Sequence, residues 1–72
     1  MKTKKITTLE SVTSQILENQ KTGDWIEVRW VEKYQDGVIE LWVHTGESLN
    51  NDDVLEFENL EELKQEWIIV IG

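Results

Sequence analysis

The most regular alternation of apolar and polar residues lies between Trp25 and His44. Two β-prone runs, residues 25–34 and 38–45, flank Asp36-Gly37, which predicts a hairpin closed by a type I′ turn. With those two residues as the whole loop, Tyr34 faces Ile39, Lys33 faces Glu40, Val31 faces Trp42, Trp30 faces Val43 and Arg29 faces His44. Ile26, Val28, Trp30, Tyr34, Ile39, Leu41 and Val43 then share a core face. Trp25, Glu27, Arg29, Val31, Lys33, Val38, Glu40, Trp42 and His44 share the other.

Upstream, Leu9, Val12, Ile16 and Leu17 recur at helical spacing, and Thr7 with Glu10 fits a capping box. This predicts an N-terminal helix that ends at Gly23. Downstream, residues 46–53 read as a polar loop and residues 54–57 as a short strand. Asn59 with Glu62 is a second capping signal, and Leu60, Leu63 and Trp67 continue it as a short helix. A continuous helix over residues 52–66 is the rival reading, because Val54, Phe57, Leu60 and Leu63 also share a helical face. The β-branched run at residues 68–71 reads as a strand interior to the sheet.

The assembled expectation is a small α+β fold in α-β-β-β-α-β order. Its sheet is mostly antiparallel, and the N-terminal helix packs on one face. With 72 residues the chain is long enough for a single domain, residues 1–72, and too short for two cores. It has no cysteine, so stability has to come from dense packing of its aliphatics and four tryptophans, or from association. Trp30 and Trp67 fall on core positions. Trp25 and Trp42 fall on the opposite face.

Charge narrows the function classes. The formal net charge is −8, and residues 46–72 hold eight acids against Lys64 alone. Such a chain is repelled by phosphate backbones and anionic lipid, which argues against direct nucleic-acid or membrane binding. The basic start at Met1–Ile6 is not followed by an apolar stretch of signal-peptide length, so a cytoplasmic protein is expected.

Candidate chemistry is sparse. One histidine and no cysteine leave no transition-metal set, and Glu56 comes too early for the distal ligand of a calcium loop at Asn50–Asp53. The four glycines form no phosphate-binding fingerprint, and no cofactor is implied. Glu27, Arg29 and His44 on one sheet face carry base, clamp and acid groups suited to ribonuclease chemistry. Their proximity depends on the inferred hairpin register, and the acidity of the chain repels an RNA substrate. A non-enzymatic reading is preferred.

Two features suit protein binding. Trp25, Val31, Val38 and Trp42 give the hairpin's outer face an apolar strip, which suits a homodimer or a protein partner. Asp52, Asp53, Glu58, Glu61 and Glu62 add negative charge for specificity and association rate. Together with Glu56 and Glu66 these acids offer an alternative, an acidic mimic of nucleic acid that blocks a DNA- or RNA-binding protein. The size and acidity are also compatible with small phage or mobile-element inhibitors of a host protein, by composition alone.

Overall fold

The computed structural model describes residues 2–44 and 53–71. Asn50, Asn51 and Asp52, part of the acidic loop expected above, lie outside the described residues. In chain order the elements are β1 (Thr3–Lys4), a single 3-10 turn (Glu10–Val12), β2 (Ile16–Asn19), β3 (Trp25–Lys33), β4 (Ile39–His44), β5 (Asp53–Phe57), α1 (Leu60–Glu66) and β6 (Trp67–Val70). The strands form one sheet in the order β1-β6-β2-β3-β4-β5, and every neighbouring pair is antiparallel.

The expected N-terminal helix is absent, and with it the α-β-β-β-α-β order. Leu9 and Val12 are buried by one 3-10 turn, which satisfies an i, i+3 spacing as well as a helix does. Ser14 then takes φ 63, a left-handed conformation that no helix continues through. Leu17 and Ile16, expected on one helical face, separate to opposite sides of β2. Leu17 is fully buried and Ile16 is exposed. Three threonines, two serines, Val12 and Ile16 make residues 7–17 a poor helix, and β2 gains hydrogen-bonded neighbours on both sides. Gly23 ends no helix. At φ 79 it closes the β2–β3 hairpin, donating to the Asn19 carbonyl while Asn19 Oδ1 accepts from the N–H groups of Lys21 and Thr22.

The β3–β4 hairpin forms, but in a different register. Its loop has three residues: Gly37 N–H donates to the Tyr34 carbonyl, and Tyr34 N–H donates to the Val38 carbonyl. Only Gly37 has positive φ, 93, so Asp36 cannot sit in a type I′ turn. Its Oδ1 instead accepts from Val38 N–H at 3.0 Å. Further along β3, the register shifts between Val28 and Trp30, leaving Arg29 as the extra residue of a β-bulge. The bulge reverses which side chains point inward. Ile26 and Val28 are buried before it and Val31 packs on the core after it, whereas Trp30 and Tyr34, expected in the core, point outward and are exposed.

The inner face collects Leu17, Ile26, Val28, Ile39, Leu41, Val43, Phe57, Trp67 and Ile69. It is covered by Ile6, Leu9 and Val12 from the segment joining β1 to β2, and by Leu63 of α1. Each such aliphatic, fully buried, contributes about 1.5–3 kcal/mol. The helix starts as its cap predicts, with Asn59 Oδ1 accepting from Glu62 N–H at 2.9 Å and Glu62 Oε2 accepting from Glu58 N–H. Residues 54–57 are strand, so the rival continuous helix over 52–66 is excluded. Strand β6 lies between β1 and β2, inside the sheet. Among the described residues, no helix is long and apolar enough to cross a membrane.

Candidate functional site

With the inner face filled, the outer face of the sheet is where side chains remain unaccounted for. Strand pairing arranges them in rows across the strands. Trp30, Trp42 and Val54 form one row across β3, β4 and β5. Glu32, Glu40 and Glu56 form the next. The rows are two residues apart along each strand, about 6.8 Å, and their members are about 4.8 Å apart from strand to strand. On the far side of the tryptophan row lie Ile16, Glu27 and His44, and beyond them Glu18 and Trp25.

The aromatic row is ordered by stacking. The Trp30 and Trp42 rings lie 4.9 Å apart at an interplanar angle of 15°. Trp30 is 42 % exposed, Trp25 46 % and Val54 41 %, so this face presents large apolar groups to solvent. Trp25 is fixed by its indole N–H, which donates to Glu18 Oε1 at 2.8 Å. The Trp42 indole nitrogen is buried and finds no acceptor among the described residues. Leaving such a donor unmatched costs about 1–3 kcal/mol.

The acidic row is also locally unfavourable. Glu32 is directly opposite Glu40, and Glu40 is directly opposite Glu56. Like charges at directly opposed positions destabilise a sheet. Tyr34 closes the end of the row, its hydroxyl donating to Glu40 Oε1 at 2.6 Å. That hydrogen bond holds the Tyr34 phenol above its usual pKa. Partial desolvation and the charges of Glu40, Glu32 and Glu56 add to the effect. Among the described residues, no group of three His, Cys, Asp or Glu side chains is placed to hold a metal ion.

Of the residues expected to meet a partner, Trp25 and Trp42 lie on the outer face. Val38 is half-buried at the hairpin end, and Val31 is turned inward by the bulge. Asp53 and Glu58 are exposed at the two ends of the β5 segment. Glu61 pairs with Lys64 at 3.5 Å, and Glu62 is committed to the helix start. The acids of residues 53–66 are thus shared between an edge strand, a helix cap and the outer face. They form no single strip.

The Glu27, Arg29 and His44 grouping changes with the register. Glu27, not Arg29, is opposite His44, and Arg29 sits in the bulge outside the ladder. A shallow depression of about 240 Å³ touches Glu27 and His44, floored by Ile16, Trp25 and Ile26. A cleft of about 360 Å³ lies between the 3-10 turn, the β3–β4 hairpin and the start of α1. Of its lining residues, Asn59 is occupied in capping α1.

The sequence reading placed Glu40 on the outer face but missed Glu32, Glu56, Trp30 and Val54 there. Tyr-Gln-Asp-Gly-Val fits a three-residue loop with glycine in the last position as well as a two-residue one. The longer loop places Glu32 opposite Glu40 at once. Comparison with protein-family models, with curated proteins and with solved structures finds no match for this chain.

Proposed function

We propose that this chain is a non-enzymatic protein-interaction module whose contact surface is the outer face of the sheet. One observation carries the proposal. Exposed tryptophan and aliphatic side chains share a face with a like-charge ladder and an indole N–H that has no acceptor among the described residues. Proteins tolerate such local violations where a surface is kept for a purpose other than stability. Tryptophan anchors flanked by charge are also the usual make-up of a binding hot spot.

Inhibition of a larger protein is the form of activity that suits so small a surface, and self-association through the same face is the companion reading. An acidic nucleic-acid mimic has less support, because Glu61 and Glu62 are engaged within the helix region. Ribonuclease chemistry has less support as well, because Arg29 does not face His44. A cytoplasmic location belongs to the same proposal, and fractionation of cells that produce the chain tests it.

Affinity capture with the wild type and with a Trp25→Ser/Trp30→Ser variant tests the contact surface, once circular dichroism has shown the variant folded. The captured partner is expected to be lost. Full retention by the folded variant overturns the assignment of this face.

A further inference from the structure

The geometry points to a specific occupant for the outer face: an extended, lysine- or arginine-bearing segment of a partner protein. It would cross the strands with its cations on Glu32, Glu40 and Glu56 and its apolar stems on Trp30, Trp42 and Val54. This inference rests on the reading of that face as an interaction surface and adds the chemistry of what binds there.

Charge complementarity selects the occupant. Glu18, Glu27, Glu32, Glu40 and Glu56 all belong to the outer face, whereas no lysine or arginine among the described residues holds a ladder position there and Arg29 sits in the bulge. A second copy would bring the same acidic excess, from a chain of net charge −8, against this one. Nucleic acid is repelled for the same reason. A basic segment relieves the repulsion along the glutamate row by placing cations between carboxylates that already face one another.

The spacing also suits such a segment. In an extended chain, side chains at i and i+2 point the same way about 6.6–7 Å apart. The glutamate row covers two strand steps, about 9.6 Å, so two such cations fit along it. The tryptophan row runs parallel at about 6.8 Å, close to the reach of a lysine or arginine stem. A stem lying on the Trp30 ring with its cation at Glu32 or Glu40 gains apolar contact and cation–π attraction together. Tyr34 supports the site by holding Glu40 in place through its 2.6 Å hydrogen bond.

The test uses the full chain and a labelled ten-residue peptide of alternating lysine and threonine, followed by fluorescence anisotropy. A peptide with glutamate in place of each lysine is the control. The E32Q/E40Q/E56Q variant removes three charges from the row. E10Q/D24N/D36N removes three charges elsewhere and keeps each side chain's hydrogen-bonding oxygen. The row variant is expected to lose affinity for the lysine peptide about tenfold, the equivalent of three modest ion pairs. The control variant is expected to change by less than about twofold, and binding to weaken as salt is raised.

Equal losses in both variants overturn the site, because net charge alone then accounts for binding. Absence of lysine-peptide binding to the wild type overturns it too, as does equal binding of the glutamate peptide. If sedimentation shows a dimer that Trp25→Ser/Trp30→Ser disperses, the occupant is a second copy and the basic segment is overturned. A captured partner lost by the tryptophan variant but retained by E32Q/E40Q/E56Q keeps the interaction face and sinks only the cationic occupant.

Discussion

Glu40 sits between Glu32 and Glu56 on adjacent strands, so replacing it by glutamine should make the protein more stable. Each directly opposed like-charge pair costs roughly 0.2–1 kcal/mol, and Glu40→Gln removes two of them, for a gain of about 0.4–2 kcal/mol. The Tyr34 hydroxyl loses little, since the amide oxygen of glutamine can accept the same hydrogen bond. For a domain of this size each kcal/mol moves the melting temperature by about 4–8 °C, so a rise of roughly 2–16 °C is expected at low salt.

Thermal unfolding followed by circular dichroism at about 20 mM and about 1 M salt measures this. At about 1 M the Debye length falls to roughly 3 Å and most of the gain should vanish. A double-mutant cycle isolates the cause: in an E32Q/E56Q background, adding Glu40→Gln should change little, because both repulsions are already gone. An unchanged or lowered melting temperature at low salt would refute the reasoning. A rise that persists at high salt, or that survives in the E32Q/E56Q background, would refute it equally.

Tyr34 is the only tyrosine, so ultraviolet absorbance reports its ionisation directly. Its phenol should titrate above the usual value in the wild type and return toward it in Glu40→Gln. Because the folded-state pKa is raised, the stabilisation this group brings is present below the unfolded value near 10. It is lost as pH rises through the folded value, so Tyr34→Phe should narrow the stability difference between neutral and strongly alkaline pH. Leu41 is fully buried on the inner face between Val31 and Leu55, and Leu41→Ala should cost about 2–5 kcal/mol in urea unfolding, most of the stability of so small a domain. Gly37→Ala should cost about 1–2 kcal/mol through its φ of 93 alone, since an added Cβ meets nothing within 4 Å. Chemical denaturation that finds Gly37→Ala neutral would remove the left-handed loop geometry as the reason for glycine there.

Local patterns were readable where they rest on neighbours in sequence. Asn59 and Glu62 mark the start of α1 because both partners of the cap lie within one turn. The run at residues 68–71 reads as an interior strand because no helix or exposed edge suits consecutive β-branched residues, and β6 does lie between β1 and β2. Asp36-Gly37 marks a hairpin because glycine is needed at positive φ, whichever loop length is used. The candidate site was half readable. Trp25 and Trp42 emerge on the outer face by simple alternation, and the acidic excess is visible in the composition.

What the sequence could not determine was decided by contacts distant along the chain. Leu9, Val12, Ile16 and Leu17 fit a helix, yet the segment becomes a 3-10 turn and a strand because β3 and β6 offer it hydrogen bonds on both sides. Trp30 and Val31 are adjacent and both apolar, so either one can point inward. The bulge at Arg29 chooses Val31, and the outward turn of Trp30 creates the stack with Trp42. The same shift sets Glu32 opposite Glu40, and β5 then adds Glu56 to the row. The sequence thus determined that this protein has an acidic, tryptophan-rich surface. Only the tertiary structure decided which tryptophans and which acids stand side by side, because a one-residue change in strand register moves every later side chain to the other face.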